Sequence, residues 1–222
     1  MAPSGKLAGW LLFIGIFAAI SYAGNLTDSG EREDRVDFVY SWSAPILGTV
    51  QVAIMLAIAL WIAAGAPKRE LFALRRPHSW GRAAGLAFAL FVAALILAAA
   101  LEPLLPAGEE LGLTPDGWDS SRAPQFAASF VVIVGLVPVA EELIFRGLGM
   151  SLLLAHLWAP LAVAANGLLF ALAHGLVYGL PVLTLFGAAL ALIRVRTGSV
   201  LPCIATHALF NGFAMIASVT VE

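Results

Sequence analysis

Six stretches of the chain carry no Asp, Glu, Lys or Arg: residues 7–27, 38–67, 83–101, 123–140, 147–193 and 197–221. Each is long enough to hold a helix of the roughly 20 apolar residues that cross a bilayer. A segment in hydrocarbon must satisfy its own backbone hydrogen bonds, which leaves helices or a closed barrel. The whole chain agrees: 61% of its 222 residues are hydrophobic and 12% charged, where a soluble domain has about 25% charged. A soluble globular protein is thereby excluded. A net charge of −2 without a basic tract gives no footprint for nucleic acid. The single cysteine, Cys203, rules out an internal disulfide and is read as helix packing.

The expected fold is all-α, a polytopic transmembrane bundle. Helices are predicted at roughly 7–24, 44–66, 83–101, 124–146, 160–178, 180–193 and 199–219, with the apolar piece 147–158 as an eighth crossing or, if it does not cross, part of a seven-helix bundle. Trp10, Trp42, Trp61, Trp80 and Trp158 fall near proposed segment ends, where an indole prefers the headgroup level or packs as an ordinary core aromatic. Loop 67–82 carries Lys68, Arg69, Arg75, Arg76 and Arg82, which assigns it to the cytosol. The acidic loops then face outward, one with Asp28, Glu31, Glu33, Asp34 and Asp37, the other with Glu102, Glu109, Glu110, Asp116 and Asp119. The first segment also has features of a secretory signal, with Lys6, an apolar stretch and small residues near Ala23, but is counted as a span. Ten Arg against two Lys with abundant Ala fits a GC-rich bacterial genome, so the expected location is a bacterial plasma membrane. Residues 1–120 are read as N-terminal transmembrane helices with acidic extracytoplasmic loops, and 121–222 as the part carrying chemistry, within one integral membrane domain.

Polar residues enter the apolar part at three places. Glu141 and Glu142 follow an apolar run, Arg146 stands four residues after Glu142, and Pro138 stands one turn before. Residues four apart share a helix face, so Arg146 neutralises Glu142, while Glu141, about 100° away, faces elsewhere. The alternative is that both acids mark the end of the span and face headgroups. Asn166, Phe170 and His174 form a second stripe, and His207 with Asn211 a third. Ionisable groups turned to lipid are costly, so the three faces are expected to converge on one internal cavity. His78 and His156 lack such company and are read as structural.

Such a set contains the parts for hydrolysis: Glu141 to take a proton from water, His174 to orient it, and His207 with Asn211 to donate to a developing oxyanion. Ser199 and Thr206 stand in no recognisable nucleophile context. The same atoms are also acceptable to Zn²⁺ through Glu141, His174 and His207, with a water in the fourth position. Glutamate-activated water is favoured over metal, since no His-Glu-x-x-His helix is present and Asn211 is a poor zinc ligand.

These residues resemble the CPBP (ABI) family of intramembrane proteases, which includes the type II CAAX prenyl endopeptidases. The family pattern of Glu-Glu-x-x-x-Arg, Phe-x-x-x-His and His-x-x-x-Asn on successive helices is matched by Glu141-Glu142-Leu143-Ile144-Phe145-Arg146, by Phe170 to His174, and by His207 to Asn211. The resemblance implies an endopeptidase opening toward the cytosol, with Glu141 and His174 activating water, His207 and Asn211 stabilising the oxyanion, and Glu142, Arg146 and Phe170 in support. It implies a membrane-associated protein or peptide substrate, prenylated ones included, and in a bacterium it also allows peptide-signal processing or bacteriocin self-immunity. An eight-helix arrangement goes with the prenyl proteases and brings His174 to the depth of Glu141, but sends Arg194 and Arg196 outside. A seven-helix reading keeps both arginines in the cytosol and separates His174 from Glu141. Two other readings of the polar faces are a non-catalytic binding or immunity protein and a proton-coupled transporter.

Overall fold

A computed structural model describes residues 3–27, 38–101, 103–105 and 117–220. The acidic positions Asp28, Glu31, Glu33, Asp34, Asp37, Glu102, Glu109, Glu110 and Asp116 lie outside the described residues.

Among the described residues the chain is all-helical. In chain order the helices are α1 (Pro3–Thr27), α2 (Ser43–Ile62), the single turn α3 (Lys68–Leu71), α4 (Trp80–Leu101), α5 (Ser120–Leu154), α6 (Ala159–Ala173), α7 (Leu180–Thr197) and α8 (Leu201–Thr220). Six helices are long and apolar enough to cross a membrane, as in an integral membrane protein; α6, at 15 residues, is shorter.

Eight helices are present among the described residues, but the eighth is the single turn α3, and the expected crossing over 147–158 is not among them. Residues 147–154 are the last turns of α5, which runs 35 residues without interruption. At 1.5 Å per residue that is about 52 Å, well beyond a 30 Å hydrocarbon layer.

Side-chain ties fix the levels of the bundle. At one end, Lys6 on α1 donates to the carbonyls of Ile62 and Ala64 at 3.0 and 2.6 Å, closing the end of α2. The basic loop lies at this end and clasps the α7–α8 turn: Arg75 Nε donates to Gly198 O at 2.6 Å, and His78 Nδ1 bonds Thr197 O at 3.2 Å. Gly198 takes a left-handed φ of 70°, which lets α7 end and α8 begin three residues later. Arg194 and Arg196 share this basic end. At the other end, Tyr22 and Asn25 of α1 donate to the carbonyls of Leu176 and Gly175 in the α6–α7 loop. Tyr40 there bonds Gly117 O at 2.9 Å and packs on Trp118 and Phe126.

Helices in lipid associate by close packing, since the surrounding acyl chains are as apolar as leucine. Gly167 on α6 and Gly187 on α7 supply that closeness: a Cβ on Gly167 would stand 2.6 Å from Thr184 O, and one on Gly187 would stand 3.0 Å from Gly167 Cα. The core beside this hairpin holds Ile14, Phe145, Leu148, Phe170, Leu190 and Ile193, all fully buried. Trp42, Trp61, Trp80 and Trp158 are exposed, each over half its surface, as headgroup-level indoles would be. Trp10 is the exception: it is fully buried, its ring edge-on to Phe145.

Candidate active site

One turn along α1 from Lys6, Trp10 Nε1 donates to Ile144 O at 3.1 Å. Glu141 lies three residues outward of Ile144 on the antiparallel α5, so it stands about 10 Å from the level of Lys6. Past Ile144, α5 continues ten residues, about 15 Å, and overruns the level of Lys6 by about 9 Å. From there α6 climbs 15 residues, about 22 Å, which returns His174 to the depth of Glu141. The seven-helix objection, that His174 would lie far from the acid, assumed that α5 and α6 turn at the same level as their neighbours. The overrun removes that assumption and leaves Arg194 and Arg196 at the basic end.

Within α5, two π-helical stretches, Val131–Leu136 and Leu143–Gly149, bracket the α-helical segment Val137–Glu142 that carries the acidic pair. Pro138, lacking an N–H, sits just after the first. Four carbonyls in these stretches accept a side chain from another helix. Trp10 of α1 takes Ile144 O, Asn166 Nδ2 of α6 takes Phe145 O at 2.9 Å, Arg194 Nε of α7 takes Arg146 O at 3.1 Å, and Asn211 Nδ2 of α8 takes Ile133 O at 3.0 Å. Four neighbouring helices thus hold the two π-helical stretches, three on Leu143–Gly149 and one on Val131–Leu136.

Glu142 and Arg146 have fully buried side chains, paired at 2.8 Å between Oε1 and Nη1. The same Oε1 meets His207 Nδ1 at 2.9 Å, and Arg146 Nη2 donates to Gly187 O at 2.8 Å. The Arg146 guanidinium lies 4.3 Å from the centre of the Phe170 ring, and that ring packs on His174 at 4.6 Å and His207 at 5.8 Å. Phe170 therefore stands between the buried cation and both imidazoles.

Glu141 faces the other way, as its place beside Glu142 requires. Its Oε2 stands 3.9 Å from His174 Nε2 and 3.9 Å from His207 Nε2, and is buried with no hydrogen-bond donor in reach. His174 Nδ1 bonds Phe170 O at 2.7 Å. A carbonyl only accepts, so His174 carries its proton on Nδ1 and, when neutral, turns a lone pair toward Glu141. The structure thus gathers Glu141, His174 and His207 at one point. Asn211 lies one turn outward on α8, with one amide N–H already given to Ile133 O.

Sequence reasoning passed over Trp10, read as an interface or core aromatic, and Arg194, read as loop charge. Asn166 was noticed in the His174 stripe without a partner. Nothing in the local sequence marks Ile144, Phe145 and Arg146 as carbonyls needing outside donors. His78 and His156 bond the carbonyls of Thr197 and Leu152, away from Glu141. Among the described residues no group of three or more His, Cys, Asp or Glu side chains that could hold a metal ion is found.

A family model, Type II CAAX prenyl endopeptidase Rce1-like, matches residues 123–213, from the first turns of α5 into α8. Residues 123–213 form an Rce1-like domain. No curated protein and no solved structure gives a match. A domain of this CPBP type implies an intramembrane protease, and hence peptide substrates. All three polar faces lie inside the Rce1-like domain; of the four donors to π-helical carbonyls only Trp10 comes from outside it.

Proposed function

We infer that the protein is an intramembrane endopeptidase that hydrolyses a peptide bond with a water activated by Glu141 and His174. The observation that carries this reading is the buried, donorless Glu141 Oε2 facing two imidazole nitrogens at 3.9 Å. That spacing is too long for direct hydrogen bonds and suits a single bridging water. Glu141 takes a proton from this water while the His174 Nε2 lone pair fixes its orientation. His207 with a proton on each nitrogen holds Glu142 through Nδ1 and donates from Nε2 to the carbonyl oxygen as it gains charge, with the second amide N–H of Asn211 as the other donor. Glu141 then returns its proton to the leaving amine. Glu142, Arg146 and Phe170 keep His207 and His174 in place. No step passes through a metal.

In this reading residues 121–222 carry the chemistry and 1–120 support it, Trp10 being the clearest strut. The basic end faces the cytosol, because short cytoplasmic loops retain Lys and Arg. The site, about 10 Å from the level of Lys6, then opens toward that side and acts on membrane-associated proteins or peptides, of the CAAX type or peptide signals.

The test compares membrane peptides by mass spectrometry after exposure to purified wild-type protein, Glu141→Gln and His174→Ala. Loss of a general base costs about 10²–10⁴-fold, so cleavage products should fall to background in both variants while their melting temperatures stay at wild type. Wild-type cleavage by either well-folded variant would remove the mechanism. Absence of any cleaved peptide with the wild type would favour a binding or immunity role for the same network.

A further inference from the structure

At the basic end, a polar pocket of about 550 Å³ opens between the start of α4 and the end of α7, lined by His78, Ser79, Arg82 and Arg196 over a floor of Ala83 and Leu86. Ser79 caps α4, its Oγ accepting from Arg82 N, so the positive end of a 22-residue helix also points here. Arg82 at the start of α4 and Arg196 at the end of α7, neither with a carboxylate partner among the described residues, make a site for an oxyanion with several acceptor oxygens, and a phosphate group fits that chemistry best.

A second feature decides the source of the phosphate. Ala83 also borders an apolar groove of about 710 Å³ that runs outward between α4 and α8, past Phe88, Phe91, Leu209 and Phe213. Phe88, Leu209 and Phe213 are over half exposed on this outer, lipid-facing side. A basic pocket at the headgroup level that continues into a hydrocarbon groove has the polarity of a phospholipid from end to end. The geometry points to a resident anionic phospholipid, its phosphate held by Arg82, Arg196 and Ser79 and an acyl chain laid between α4 and α8. The site lies outside the Glu141 cavity and does not depend on the reading of that cavity: Thr206 and Ala208 line the groove from the back of α8, whereas His207 between them turns inward.

The test titrates the purified full-length protein in detergent with phosphatidylglycerol, phosphatidylcholine or inorganic phosphate, and counts retained molecules by native mass spectrometry. Phosphatidylglycerol should be retained in preference to phosphatidylcholine. A basic side chain at an anionic leaflet accounts for about fivefold in binding, so Arg82→Gln with Arg196→Gln should weaken phosphatidylglycerol about thirtyfold. Arg76→Gln, in the same loop but outside the pocket, should change it less than about twofold if its charge acts only at long range. Ala84→Phe narrows the groove without altering charge and should also weaken the phospholipid. Undiminished retention by the double arginine variant, equal retention of the two lipids, or inorganic phosphate binding as tightly as phosphatidylglycerol would overturn the proposal.

Discussion

Glu142 is the residue on which the buried electrostatics turn. One of its oxygens serves Arg146 and His207 together, with both carboxylate and guanidinium side chains out of contact with solvent. Removing Arg146 leaves the buried carboxylate with His207 as its remaining partner among the described residues, at a cost of up to about 3–5 kcal/mol. Arg146→Met should therefore lower unfolding stability in detergent by that order. Adding Glu142→Leu should recover most of the loss, because both charges then leave, while His207 loses its anchor and cleavage stays low. Equal stability of the single and double variants would contradict this account. The i, i+4 spacing made the Glu142–Arg146 pair legible in the sequence, and the 100° offset made Glu141's separate direction legible too. His207's choice of Glu142 for one nitrogen and Glu141 for the other was not, because it depends on where α8 crosses α5.

Among the elements, α5 does the most with the least regular backbone. Its π-helical stretch Leu143–Gly149 places Gly149 against the Trp10 indole, and any Cβ there would overlap the ring. Gly149→Ala should cost about 1–3 kcal/mol through overpacking, and Trp10→Leu in the same chain should relieve part of it. A thermal melt of the single and double variants measures both. The start of α5 gives a pH signature. Hydrogen bonds from Ser121 and then Arg122 hold the Asp119 carboxyl at about 2, below its ordinary 3.8. A lowered folded-state value stabilises the fold above the ordinary value and is lost as pH falls toward about 2. Asp119→Asn should thus lower the melting temperature at pH 7, and the difference from wild type should shrink between about pH 4 and pH 2. Helix identity was readable from charge-free apolar runs, whereas the end of α5 was not. The last acids and Arg146 looked like a terminus, and continuation to Leu154 is set by neighbours that satisfy the π-helical carbonyls.

Taken whole, the bundle has one basic end, where Lys6, the 67–82 loop, Arg194 and Arg196 lie, and an opposite end with Tyr22, Asn25, Tyr40 and Trp118. Single cysteines should label accordingly in a Cys203→Ala background: Ser79→Cys from the cytosolic side and Ser43→Cys only from the other. Labelling of both from one side would overturn the topology. Loop charge already separates the basic end from the other in the sequence, and the meeting of the three polar faces follows from the cost of lipid exposure. The depth of the meeting point was not legible, because it depends on how far the α5–α6 hairpin projects. One local detail bears on the molecule as a whole. His174 rests its far nitrogen on a backbone carbonyl, which offers a passing proton nowhere to go. The far nitrogen of His207 ends on Glu142, already held by Arg146. Neither ring continues into a further chain of proton carriers among the described residues, so in the proposed hydrolysis a proton taken up beside Glu141 goes back to the leaving amine.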